Sequence, residues 1–175
     1  TIWAGGGSMS TPRHYLGGFG TQTATVAMGG YVAAVSAVTE EYDGTNWSSG
    51  GALATARQGI AGCGTLSAGL AMGGTTGSQS SVTEEYDGTS WSGGGSMSTA
   101  RTEFGGAGTQ SSAMGWGGYI TASPFVATTT EIYDGTAWSA GGAVVAVVRN
   151  GAAVNLSFGG DTTTNAYKYA GGAWS

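Results

Sequence analysis

No window of this chain places apolar residues at i, i+3, i+4 and i+7 between helix-capping residues, so nothing in it reads as an amphipathic helix. What recurs is short stretches rich in Val, Ala, Thr and aromatics, closed by Gly, Asp-Gly-Thr or Gly-Thr-Gln-Thr. That pattern predicts an all-β chain of short strands joined by tight turns. Four strands are expected per unit. The first follows an Arg (residues 14–20, 58–64 and 102–108), and the second runs into a Gly pair (23–28, 67–72 and 110–114). The third ends at a Tyr (38–42 and 82–86), and the fourth carries a Trp. Asp-Gly-Thr between the third and fourth strands supplies positive-φ positions for a hairpin turn, and Gly-Thr-Gln-Thr reads as a second turn of that kind.

The units are copies of one another. Trp3, Trp47, Trp91, Trp138 and Trp174 are separated by 44, 44, 47 and 36 residues. The last four each stand five residues after a Tyr: Tyr42, Tyr86, Tyr133 and Tyr169. Arg13, Arg57 and Arg101 follow a Trp by ten residues, Arg149 by eleven, and a Gly pair closes each unit at 29–30, 73–74, 117–118 and 159–160. A period in the forties made of strands points to propeller blades. The order Gly doublet, Tyr, Trp, then apolar-x-Thr-(Ala/Pro)-Arg, as in MSTPR, LATAR and MSTAR, resembles the kelch repeat. It departs from that pattern in the Tyr-to-Trp spacing of five and in the small residues of its inner strands. In its Gly/Ala/Thr-rich form (TARQGIAGCGT, TEEYDGT) the chain is also similar to kelch-like repeats of marine bacteriophage tail and fibre proteins. The resemblance implies a single kelch-like β-propeller with repeats at about 3–46, 47–90, 91–137 and 138–175. About four blades are expected in this chain, with a larger ring open as an alternative. The fourth unit is abbreviated, 11 residues separating Arg149 from Gly160 where the other units have 17.

Composition sharpens this. Gly is 36 of 175 residues, but aromatics reach 10%, which separates the chain from disordered low-complexity tracts. Gly does not recur every third residue and Pro is only 2, so collagen is excluded. Small residues let sheets approach closely, and the expectation is a ring of small inner residues with Trp, Tyr and Met filling an outer layer. Net charge is −5 with a single Lys, which argues against nucleic acid as a partner. No apolar run approaches the ~18 residues of a membrane span. The single Cys63 excludes an intrachain disulfide.

Eight of the ten acids flank the repeated Tyr: Glu40, Glu41, Asp43, Glu84, Glu85, Asp87, Glu131 and Asp134. Four of the five basic residues are the repeated Arg. Groups that recur in every copy are explained by folding: Arg13, Arg57, Arg101 and Arg149 against Glu41, Glu85 and Glu131 across adjacent strands, with Asp capping a turn. A ring of Arg or Glu binding an ion at one mouth is the functional alternative. Outside the repeat stand Glu103, Asp161, His14, Lys168 and Cys63. His14 is replaced by Gln58 and Thr102 in later copies and reads as an exposed variable position. One His and one Cys assemble neither a nucleophile–base–orienter triad nor a zinc site. The two-His, two-Tyr copper set of some kelch oxidases is not carried over. The expectation is a non-enzyme with no cofactor and no metal.

Variation between copies is the better guide to function. The Gly-pair-to-Tyr segment reads YVAAVSAVTEEY, TTGSQSSVTEEY and YITASPFVATTTEIY in the first three units. These connectors should gather at one face of the ring, carrying Tyr31, Val32, Tyr119, Ile120, Pro124 and Phe125, with Trp116 just upstream. Aromatics on scaffold loops are typical of sugar platforms and protein interfaces, and also of packing against a neighbouring domain. The expected function is a structural or recognition module of a virion or extracellular surface. A phage tail or fibre component fits best, contacting host glycans or other virion proteins within a multi-subunit assembly. The alternatives are a kelch-type protein-interaction adaptor and, disfavoured by the residue inventory, a carbohydrate-active propeller enzyme.

Overall fold

The computed structural model describes residues 5–122 and 125–143 and the strand backbones at 156–157, 167–170 and 173–174. Trp3, Pro124 and Arg149 lie outside the described residues. The described chain is all-β, without a helix, and consists chiefly of three antiparallel four-stranded sheets in sequence order. The first holds β1 (Gly17–Thr21), β2 (Ala24–Met28), β3 (Thr39–Tyr42) and β4 (Trp47–Ser49). The second holds β5 (Ala61–Thr65), β6 (Ala68–Met72), β7 (Thr83–Tyr86) and β8 (Trp91–Gly93). The third holds β9 (Gly105–Thr109), β10 (Ser112–Trp116), β11 (Thr129–Tyr133) and β12 (Trp138–Ala143). None of these sheets closes into a barrel. A three-stranded set follows, β13 (Leu156–Ser157), β14 (Tyr167–Ala170) and β15 (Ala173–Trp174). Its Tyr169↔Trp174 pairing repeats Tyr42↔Trp47, Tyr86↔Trp91 and Tyr133↔Trp138, so the last unit keeps this hairpin despite its altered turn sequence.

The sheets lie side by side with their first strands adjacent, β1 against β5 and β5 against β9. Small residues permit this approach: a Cβ on Gly106 would stand 2.7 Å from the Met72 methyl, and one on Gly62 2.6 Å from that of Met28. Met28 and Met72 therefore sit against the first strand of the next sheet, not in the outer layer expected of methionine. The Tyr–Trp pairs occupy the far edge, their rings 4.7–5.1 Å apart.

Polar groups join successive sheets in a fixed way. The Tyr86 hydroxyl donates to Glu41 of the preceding sheet, and that of Tyr133 to Glu85 at 2.6 Å. Trp91 Nε1 donates to Thr39 Oγ1 (3.0 Å) and Trp138 Nε1 to Thr83 Oγ1 (2.9 Å). Gly30 N donates to Arg57 O and Gly74 N to Arg101 O. Both members of each of the three described Gly pairs take positive φ, for example 62° at Gly73 and 101° at Gly74. A Cβ on Gly73 would lie 2.6 Å from Arg101 O, so conformation and space both require Gly there.

Local predictions need four corrections. First strands begin three residues later than expected, because residues 14, 58 and 102 form isolated bridges to Tyr31, Thr75 and Tyr119 instead of joining the ladder. In the third unit the second strand is Ser112–Trp116, not 110–114, since Gln110 and Ser111 form the turn. After the first strand, the positive φ falls on Gly20, Gly64 and Gly108 ahead of the two-residue turn, not inside it. The repeated glutamates occupy two positions, not one: Glu131 corresponds to Glu40 and Glu84, while Ile132 stands where the other sheets have Glu41 and Glu85. The Asp-Gly-Thr turns behave as read, Asp43, Asp87 and Asp134 each accepting two backbone N–H bonds at 2.7–2.9 Å while Gly44, Gly88 and Gly135 take φ of 93–95°. These hydrogen bonds hold the three aspartates below the usual carboxylate range.

Candidate functional site

Each sheet presents two ends. At one end lie the Asp-Gly-Thr hairpins and the β1–β2 type turns. At the other lie the connectors between second and third strands and those leading from one sheet to the next. The buried arginines build this second end. Arg57 Nη1 donates to Gly73 O (2.8 Å) and to Val82 O (2.7 Å), the two feet of the connector 74–81. Its Nη2 pairs with Glu84 Oε1 at 2.8 Å. Glu84 Oε2 in turn accepts from Ala54 N at 2.7 Å, fixing the approach from the preceding sheet. Arg13 repeats this with Gly29 O, Val38 O and Glu40, and Arg101 with Gly117 O, Thr129 O and Glu131. The arginines come from connectors, not strands, so the expected pairing across adjacent strands is replaced by a clamp on a loop. Burial pulls all three guanidinium pKa values down even beside their carboxylates. At Glu40 burial raises the carboxyl, but bonds from Ser10 and the charge of Arg13 outweigh it and leave the pKa low.

On this frame the connectors carry the exposed apolar residues. Val32 is 53% exposed and Phe125 50%. Tyr119 and Ile120 are half-buried, with the Tyr119 and Phe125 rings stacked at 6.4 Å. Tyr31 is half-buried and bridges to the exposed His14, whose ring lies 5.3 Å away. Tyr31 and Val32 thus belong to one cluster, and Tyr119, Ile120 and Phe125 to another. The plain connector of the second unit, Thr75 to Ser81, belongs to neither.

Trp116 is a correction. It is fully buried and holds the position of Met28 and Met72, immediately before the Gly pair. Its indole fits because the residue opposite is Gly105, where a Cβ would collide with the ring. It is core and contributes no surface.

Tyr15 is the residue missed. It is 59% exposed, lies 5.1 Å from the His14 ring, and has φ of 54°. The signal was present in the alignment of copies, where Tyr15 falls opposite Gly59 and Glu103.

The first strands also line a groove of about 280 Å³ made by Gly18-Phe19-Gly20, Gly62-Cys63-Gly64 and Gly106-Ala107-Gly108. Cys63 is buried there and its thiol is pushed up to about 12 by burial, so it is no thiolate nucleophile. Among the described residues no three His, Cys, Asp or Glu side chains converge as a metal site, and no helix is long and apolar enough to cross a membrane. No protein-family model matches this chain, and no curated protein matches it.

Proposed function

We propose that this chain is a kelch-like β-propeller, or part of one, acting as a non-enzymatic recognition module of a virion or extracellular surface. The propeller reading is supported by three sheets in sequence with adjacent first strands and by junctions that repeat the same donors and acceptors. The virion setting rests on the likeness of the Gly/Ala/Thr-rich repeats to those of phage tail and fibre proteins. One observation carries the recognition role. All four exposed large apolar side chains among the described residues, Tyr15, Val32, Val38 and Phe125, come from connectors at the same end of the sheets. The opposite end, made of repeated turns, has none. Clamping of each connector by a buried Arg gives this surface the rigidity that binding needs.

The test replaces residues 119–129 with the plainer 75–82 and compares binding of both proteins to candidate host cells. Saturable binding lost in the replacement supports a recognition face. Self-association of the parent, with a monomeric replacement and no cell binding by either, makes the same face an assembly contact.

A further inference from the structure

The two junctions between four-stranded sheets use one set of side-chain donors, all carried by the later sheet. The Tyr86 and Tyr133 hydroxyls donate to Glu41 and Glu85, and Trp91 and Trp138 Nε1 to Thr39 and Thr83. At the second junction Gln110 Nε2 adds bonds to Gly69 O (3.1 Å) and Tyr86 O (2.9 Å). The first strand of the later sheet completes the contact, Gly62 lying against Met28 and Gly106 against Met72.

The first sheet carries the same donor face with no sheet against it among the described residues. Gly18, Gln22, Tyr42 and Trp47 stand where the third sheet has Gly106, Gln110, Tyr133 and Trp138. Tyr86 and Tyr133 are buried, but Tyr42 is half-buried and its hydroxyl has no hydrogen-bond partner among the described residues. Trp47 Nε1 turns to Gly7 O (3.1 Å) in the segment leading into its own sheet, and Gln22 is exposed. A Cβ on Gly18 would meet only Val26 O of the same sheet, where Gly62 and Gly106 meet a methionine of the sheet before. The face is thus half of a junction whose other half is seen twice elsewhere in the molecule.

We infer that this face is an interaction surface for a further unit of the same repeat, outside these 175 residues, that bears Glu immediately before its Tyr. Charge decides the occupant. The two carboxylates at that place in this chain, Glu41 and Glu85, are taken by Tyr86 and Tyr133. The third sheet has Ile132 there, and the pairing Tyr169↔Trp174 puts Lys168 there in the last strands. A second copy set head to tail, or the last strands of this chain, would therefore offer Ile or Lys where the other two phenols find Glu. Covering the Tyr42 hydroxyl without an acceptor costs its hydration and returns no bond. The surface lies on the face of the first sheet, apart from the connector end, and does not rest on the recognition reading.

The experiment lengthens the protein by one unit, repeating residues 6–49 in phase ahead of Gly6. The phase is set by the glycines: a Cβ on Gly6 would lie 2.8 Å from the Tyr42 hydroxyl, as one on Gly50 would lie 2.7 Å from that of Tyr86. The added sheet brings its own Glu41 to the face of the original first sheet. Thermal midpoints are measured for the parent and the lengthened protein, each with and without Tyr42→Phe in the original first sheet. A further lengthened form carries Glu41→Ile in the added sheet. Expected is that Tyr42→Phe leaves the parent's midpoint unchanged and lowers that of the lengthened protein by several degrees. The effect should vanish again once the added sheet carries Glu41→Ile. A Tyr42→Phe parent destabilised as much as Tyr86→Phe overturns the inference, because the hydroxyl would already be engaged. A midpoint that rises with protein concentration would then assign that engagement to a second copy, and a constant one to the chain itself. A lengthened protein that is indifferent to Tyr42→Phe, or whose added sheet stays unfolded or melts apart from the rest, overturns it as well.

Discussion

The second and third sheets share a polar frame and differ in their apolar filling. In both, a buried Arg holds the feet of a connector and a Glu on the third strand. In both, Asp closes the hairpin and a Tyr hydroxyl reaches back to the preceding sheet. The filling is rearranged. Ala61 faces Met72 in the second sheet, where Gly105 faces Trp116 in the third. Ile60 becomes Phe104, while Cys63 shrinks to Ala107. The first sheet follows the same rule, its large Phe19 ring lying where a Cβ on Gly69 would be, while the smaller Cys63 is matched by Ala113 in the next sheet. Hydrogen bonds and ion pairs tolerate little change in distance, so the frame repeats. A core asks mainly for conserved volume, so its residues trade size between facing positions.

The largest expected effect comes from breaking the frame. Arg57→Met should cost about 3–5 kcal/mol, because Glu84 and two connector carbonyls are left buried without their donor. Arg101→Met should cost a similar amount, since its partners are equivalent. Urea unfolding of the two variants measures this directly. A tolerant Arg101→Met would mean that the longer connector 118–128 is held by something other than the clamp, and the two frames would no longer be the same.

A smaller effect tests the filling. Gly105→Ala should cost about 1–3 kcal/mol by driving a methyl into the Trp116 ring. Adding Trp116→Met gives the third sheet the Ala–Met pair that the second already uses, and should recover most of the loss. The double-mutant cycle should show coupling of about 0.5–3 kcal/mol, as neighbours in contact do. Independent effects at the two positions would mean that volume is not being traded between them.

That contrast also explains what could be read in the residues beforehand. The strand count, the Asp turns and the Gly pairs were legible because each is local and recurs at fixed spacing. Trp116 was misread because its meaning depends on Gly105, eleven residues away and visible as its partner only once the register is known. The split of the glutamates was hidden for a similar reason. Glu40 and Glu41 are neighbours in the chain, yet one meets Arg13 of its own unit and the other Tyr86, 45 residues on. Tyr15 was overlooked because its peculiarity is a backbone angle, which the copies betray only through the Gly at position 59.

The smallest effect concerns the junctions. Burial, and then the hydrogen bond to a carboxylate of the preceding sheet, push the phenols of Tyr86 and Tyr133 from 10.0 up to about 12. A phenol whose pKa is raised by folding keeps its proton longer in the folded state than in the unfolded one. Its contribution is therefore complete below pH 10 and is lost as pH climbs through about 12. Each of Tyr86→Phe and Tyr133→Phe should remove part of the fall in stability across that window, at a cost of about 1 kcal/mol near neutrality for the lost hydrogen bond. The double variant should leave mainly the part due to Cys63, whose buried thiol is likewise pushed up to about 12, as followed by thermal midpoint against pH. Equal contributions would show that the junction from first to second sheet and that from second to third are one device used twice. The third sheet itself lacks the acceptor half of this device, because Ile132 occupies the place of Glu41 and Glu85. Ile132→Glu should accordingly leave the alkaline response of Tyr86 and Tyr133 untouched, since both take their carboxylates from the sheets before them.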